Sequence, residues 1–267
     1  MTGGARSLRA SGVPPQPTGR LESRMVDAGP WTMHTRASVG APAGAPTVVL
    51  VHGLVISSLY MVPAARRLAP HFNVLAPDLP GFGDSTRPPY VLDVPGLADA
   101  LDAWMDALSL EGAVLVGNSL GCQIIADLAA RRPHRVGRAV LAGPTMDARG
   151  RTAPVQFLRW LVDWTGERPS LAPAHVRDYY KAGLGRARDT FRYALADRIE
   201  DKLPLVEAPT LVVRGSGDTI VPQRWAAEVT RLLPRARLAT IVGGPHCINY
   251  STPDAFARLV RDFVAEG

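Results

Sequence analysis

Three residues of this chain belong to types that together perform nucleophilic catalysis, and each directly follows a short apolar run: Ser119, Asp218 and His246. Ser119 lies in Gly117-Asn118-Ser119-Leu120-Gly121, after the apolar Val114-Leu115-Val116 and before the helix-compatible Cys122-Gln123-Ile124-Ile125. A nucleophile exposed on a sharp strand-to-helix turn leaves no room for side chains two residues to either side, so glycine is needed at both places. The pattern by itself is a weak signal, because short motifs recur by accident; its place between a strand and a helix gives it weight. The N-terminal amides of the following helix favour developing negative charge.

Asp218 closes Gly215-Ser216-Gly217-Asp218 and leads into Val221-Pro222, while His246 closes Gly243-Gly244-Pro245-His246. Alone, the first reads as a turn former and the second as surface loop. Taken with Ser119, the chain order Ser, Asp, His and the position of each after a run suit a catalytic triad. His52-Gly53-Leu54 ends another apolar run in the same way, so the backbone amides of Leu54 and Leu120 are the expected oxyanion hole. His52 itself is expected to bond to loop backbone.

Such residues need a rigid scaffold, and the apolar runs supply one. Runs at 48–51, 74–76, 114–116, 140–142 and 211–213, with a less uniform sixth at 238–242, read as strands buried on both faces. Helical stripes lie between and after them, as at Leu97, Leu101, Trp104 and Leu108 or at Phe256, Leu259, Val260 and Phe263. The alternation implies an α/β fold, a mostly parallel doubly wound sheet with ligands at the carboxyl ends of its strands. Strand-like runs at 21–26 and 31–36 around Ala28-Gly29-Pro30 suggest a preceding hairpin. Between 145 and 204 no buried-strand run occurs, and three or four inserted helices are expected. For most of the aromatics there, from Phe157 to Tyr193, the expected role is to hold the insertion to the core. Residues 1–20, rich in Gly, Pro, Ser and Arg, read as a disordered tail.

Composition adds mainly exclusions. The formal charge of +6 is almost all arginine, since lysine occurs only at Lys181 and Lys202, and the basic residues are scattered among acids rather than gathered into a stripe. That argues against a nucleic-acid footprint. Cys122 and Cys247, the only cysteines, form neither a disulfide framework nor a metal-ligand pattern and are expected to be buried thiols. The apolar stretch 47–65 contains His52-Gly53, Ser57-Ser58 and Pro63, which break any membrane span. With no secretion-signal core at the start, a cytoplasmic location is the expectation.

At His52-Gly53, the segment from Asp78 to Ser85, the turn at Ser119, the Gly-Asp-x-x-Val-Pro stretch at Asp218 and the Gly-x-x-His stretch at His246, the sequence resembles the α/β-hydrolase superfamily. The resemblance runs from about Leu21 to the C-terminus. It implies an α/β-hydrolase core over 21–144 and 205–267, with 145–204 as a helical cap over the active site. In that family the Asp78–Ser85 loop shapes the floor of the site without doing chemistry. Relatives with dehalogenase or epoxide hydrolase activity carry Asp where Ser119 stands, so those activities are disfavoured. Hydrolases of meta-cleavage products often have a Gly-rich loop after His-Gly and a Trp after the histidine. Here Leu54-Val55-Ile56 and Cys247 stand instead, and Cys122 replaces a common small residue.

The implied activity is hydrolysis of a carboxylic ester, thioester or lactone with a partly apolar body, through an acyl-enzyme and with no metal or organic cofactor. One alternative is C–C bond hydrolysis of a vinylogous diketone acid, for which Arg159, Arg177 or Arg188 could hold the substrate carboxylate. Another is a non-catalytic ligand receptor on the same fold. Asp147 is an alternative triad acid, because some relatives place it there.

Overall fold

A computed structural model of the chain describes residues 19–266. The tail expected over 1–20 therefore lies, up to residue 18, outside the described residues. Arg20 is already tied down, its carbonyl accepting from the Val39 N–H at 3.0 Å.

The described residues begin with an antiparallel hairpin, β1 (Leu21–Ala28) and β2 (Trp31–Ser38), with Ala28 opposite Trp31 across a turn at Gly29. Next come β3 (Thr47–Val51), α1 (Val62–Leu68), β4 (Asn73–Pro77), α2 (Val94–Ala107), β5 (Ala113–Asn118), α3 (Leu120–Arg131) and β6 (Val136–Ala142). The chain between β6 and the next strand is helical: α4 (Ala153–Asp163), α5 (Ala172–Ala182), α6 (Leu184–Ala196) and the single turn α7 (Ile199–Lys202). It finishes with β7 (Thr210–Gly215), α8 (Gln223–Leu232), β8 (Ala236–Ile241), α9 (Ile248–Ser251) and α10 (Pro253–Ala265).

The strands form one eight-stranded sheet in the order β1-β2-β4-β3-β5-β6-β7-β8, parallel from β4 to β8, with the hairpin antiparallel at one edge. Strand alternation divides the buried side chains between two cores. Val49, Val51, Leu115, Leu141 and Val212 share a cluster with residues of α2, α3 and α8. Val48, Leu50, Val116, Val140 and Val213 share the other with residues of α1 and α10. Every residue of β5 is buried, as the uniform apolar run predicts for a central strand. The sixth run is less uniform because β8 is an edge strand; it stops at Ile241, and Val242 is 90% exposed.

Because β3, β5, β6, β7 and β8 run the same way, the loops after their C-terminal ends share one rim, and the helices from α4 to α6 contribute side chains to a cavity opening there. The aromatics of that segment differ from the expectation that most would anchor it to the core. Tyr179 and Phe191 do pack against the core while also lining the cavity, but Phe157, Trp160 and Trp164 line the cavity and Tyr180 is 89% exposed.

Candidate active site

Ser119 occupies the junction of β5 and α3 with φ 58°. With ψ at −120° this is a sparsely populated conformation that costs an L-residue about 1–3 kcal/mol and is held by its surroundings. Its N–H donates to the Ala142 carbonyl at 3.0 Å. A Cβ on Gly117 would lie 2.6 Å from the Gly121 carbonyl carbon, and one on Gly121 would collide with the carbonyl oxygen of Val51. Both glycines are therefore set by close approach of backbones. Leu120 is the first residue of α3, where an amide has no partner within the helix.

The loop after β3 lies against this turn, since a Cβ on Gly53 would sit 3.2 Å from Ser119 Cβ. Gly53 N–H donates to Tyr60 Oη at 2.8 Å, and that hydroxyl donates to Asn118 Oδ1 at 3.0 Å. Val55, a β-branched residue, is forced to φ 53° just past Leu54. Leu54 and Leu120 both border the cavity. His52 accepts from the Leu79 N–H through Nε2 (2.9 Å) and donates from Nδ1 to the Gly53 carbonyl (2.9 Å), so it braces loops below the cavity.

Asp218 is buried after β7. Its Oδ1 accepts from the Ile220 and Val221 N–H groups, both at 2.9 Å, while Oδ2 lies 2.9 Å from His246 Nδ1. The Arg214 guanidinium staples this loop by donating to the carbonyls of Val221 (2.6 Å) and Asp218 (2.8 Å). With Nδ1–H given to the carboxylate, His246 presents Nε2, which is buried and without a hydrogen-bond partner among the described residues. His246 and Ser119 border the same cavity, of about 300 Å³. Asp147 takes no part in this pairing; Arg159 and Arg224 engage its carboxylate at 2.8 Å and 2.5 Å.

Two acids invisible to motif reading stand beside the histidine. Asp163, at the end of α4, accepts at Oδ1 from the N–H groups of His246 (3.2 Å) and Thr219 (3.3 Å). Glu167 accepts from the Cys247 N–H at 2.6 Å and from the Ser251 hydroxyl at 2.5 Å. Both border the cavity. Burial pushes the Asp163 carboxyl up to about 7, the histidine's charge opposing and those of Asp218 and Glu167 adding. Burial disfavours the imidazolium of His246, but the Asp218 carboxylate, helped by Asp163 and Glu167, outweighs it and raises the group to about 9. A helix-face pattern gives no hint of these acids, because an Asp on an amphipathic helix ordinarily faces water.

The cysteines differ from each other. Cys122 is buried beneath the turn, its thiol 3.3 Å from the Gly117 carbonyl oxygen, whereas Cys247 is only partly buried and borders the cavity. Burial raises both thiols well above their ordinary range, which keeps them protonated and poorly nucleophilic. Of the three arginines expected as carboxylate holders, Arg159 is committed to Asp147 and Arg177 to Asp84. Arg188 alone of the three borders the cavity, with its guanidinium beside Asp189.

Residues 48–259 match the model of the α/β-hydrolase family, and the chain belongs to that family. It is 30% identical over 256 residues to 2-hydroxy-6-oxo-2,4-heptadienoate hydrolase of Pseudomonas putida, covering 84% of this chain and 90% of that protein. It is also 30% identical over 256 residues to pimeloyl-[acyl-carrier protein] methyl ester esterase of Neisseria meningitidis, covering 85% of this chain and 95% of the esterase. Among solved structures, a putative lipase from Acinetobacter baumannii superposes with a TM-score of 0.79 at 20% identity, over 98% of each chain, a likeness of fold alone. The protein is thus a member of a hydrolase family whose relatives include esterases and C–C bond hydrolases. No helix among the described residues is long and apolar enough to cross a membrane.

Proposed function

We propose that this protein is a serine hydrolase that cleaves a carboxylic ester, thioester or lactone through an acyl-enzyme. The carrying observation is the 2.9 Å Asp218–His246 contact, which leaves Nε2 free at a cavity shared with Ser119. Nε2 takes the proton of Ser119 as its Oγ attacks the substrate carbonyl carbon. Asp218 holds the imidazole in the tautomer this requires and stabilises the imidazolium that forms. The amides of Leu54 and Leu120 receive the tetrahedral oxyanion, each such donor contributing about 3 kcal/mol in the transition state. His246 then protonates the departing alcohol or thiol and activates water for deacylation. Residues 145–204 act as a cap, and its ring wall makes room for a partly apolar substrate. Along that wall, ring centroids are spaced 5.9 Å from Phe157 to Trp160 and 5.8 Å on to Trp164, with His175 a further 4.9 Å away.

C–C bond hydrolysis is the second reading, favoured by Arg188 at the cavity and by the similarity to the heptadienoate hydrolase. Asp163 and Glu167 weigh against it, because they make the interior inhospitable to the dienoic carboxylate that reaction needs. The test is turnover of short p-nitrophenyl esters and of a dienoic ring-fission product by the parent chain and by Ser119→Ala. The expected outcome is ester turnover that disappears in the variant, with the fold retained. Equal turnover by both proteins would reject the assignment, and preferential cleavage of the dienoate would install the second reading.

A further inference from the structure

His246 sits on a short loop between β8 and the single turn α9. The glycines of this loop are tied to the loop after β7 by the Gly217 N–H donating to the Gly244 carbonyl at 2.9 Å and the Gly243 N–H donating to the Ser216 hydroxyl at 2.7 Å. At His246 itself both polar groups of the backbone are engaged by buried side chains. Asn118 Nδ2, from the residue preceding Ser119, donates to the His246 carbonyl at 3.1 Å. Asp163 receives the His246 N–H, and the same oxygen receives the N–H of Thr219, next to Asp218. One carboxylate oxygen thereby bridges the two loops that bear the imidazole and its partner acid. A second contact joins the same elements, the Thr219 hydroxyl donating to the Arg159 carbonyl of α4 at 2.8 Å. Glu167 repeats the arrangement one step further along, joining the N–H of Cys247 to the hydroxyl of Ser251. Each acid comes from the helical segment between β6 and β7, not from the sheet.

We propose that Asp163 and Glu167 are positioning residues that hold the His246 loop in register with Ser119, and that their charges set the pH range in which His246 can act as a base. The proposal rests on the reading of His246 as that base. Buried hydrogen-bond acceptors are costly to leave unmatched, so four donors meeting two carboxylates define the loop's position narrowly. Charge is the second half of the device. The acids acting on the imidazole are Asp218 from the loop after β7, Asp163 from α4 and Glu167 from the turn after α4, and at the alkaline pH where the ring titrates, above the Asp163 range near 7, all three are negative. The neighbouring thiol of Cys247 stays protonated and adds no charge. Asp218 alone would orient the ring; the other two favour the protonated ring further.

The test is steady-state kinetics of the full chain on p-nitrophenyl acetate, from neutral to alkaline pH, with thermal unfolding recorded for each variant. Asp163→Ala removes both acceptor and charge. Its kcat should fall about 10- to 100-fold, the cost of a misplaced base, while KM for this small ester stays within about twofold. Asp163→Asn keeps an oxygen for both amides but no charge. It should retain most of the alkaline kcat, with the acid limb of the profile moved down by about one pH unit. Glu167→Gln should move the limb in the same direction by less. A folded Asp163→Ala with parental kcat and limb overturns the proposal, as does an Asp163→Asn variant whose limb stays in place. If the Ala variant does not fold, the Asn and Gln limbs decide. Ser119→Ala runs alongside: should it turn over ester as fast as the parent, the triad reading fails and this proposal falls with it. With that control inactive, the limbs judge the two carboxylates alone.

Discussion

His246 can accept a proton only when its ring is neutral, and its surroundings oppose neutrality. Raised from 6.5 to about 9, the imidazole is largely protonated at neutral pH in the free protein. The neutral fraction grows as pH rises through that value, so kcat/KM should climb through an acid limb centred well above 6.5. The same shift has a stability consequence of opposite sign: the protonated histidine favours the folded chain fully below 6.5, and that contribution fades as pH rises through about 9. A kcat/KM profile over pH with one commercial ester measures the first effect, and an acid limb at or below 6.5 would contradict it. Because kcat/KM reports the free enzyme, this sign holds whichever ester is used.

Among the elements, the joint between β5 and α3 is tightly determined. Gly121 has the backbone of β3 against it, with the carbonyl of His52 3.0 Å from where a Cβ would stand and that of Val51 closer still. Neither carbonyl can yield without moving the strand end that leads into the loop at Leu54. Gly121→Ala should therefore cost about 1–3 kcal/mol, the usual range for overfilling a packed interior, and depress activity beyond that loss. Denaturant unfolding of parent and variant gives the figure; an unchanged midpoint would mean the close approach is relieved cheaply. This joint is legible in the sequence because its demands are local: a strand, two glycines around a serine, and a helix. Asp218 and His246 are legible as strand-end residues on the same grounds. Asp163 and Glu167 are not, since their partners lie 83 and 80 residues away and no short-range pattern distinguishes them from solvent-facing acids. The aromatic segment departs from expectation for a related reason. Helical spacing says which residues share a face but not whether that face meets a core or a cavity.

For the molecule as a whole, the strand ends of the sheet carry Ser119, Asp218 and His246, and the helices from α4 to α6 supply much of the wall of the cavity that Ser119 and His246 border. Trp160 belongs to both the ring wall and the outer surface, being 37% exposed. Trp160→Ala should raise KM for aryl or long-chain esters severalfold while leaving kcat for an acetate ester nearly unchanged, since it removes apolar contact remote from the reacting carbon. A comparison of the two substrates distinguishes this from general damage, which would lower both alike. The acids along the wall also bear on the departure of product. On the proposed mechanism an ester would enter without charge, and deacylation would leave an anion in a cavity that Asp163 and Glu167 border, with Asp218 behind His246. Once pH has risen far enough to strip the His246 proton and ionise Asp163, like charge would then work as an ejector, and added carboxylate should compete poorly for re-entry under alkaline conditions.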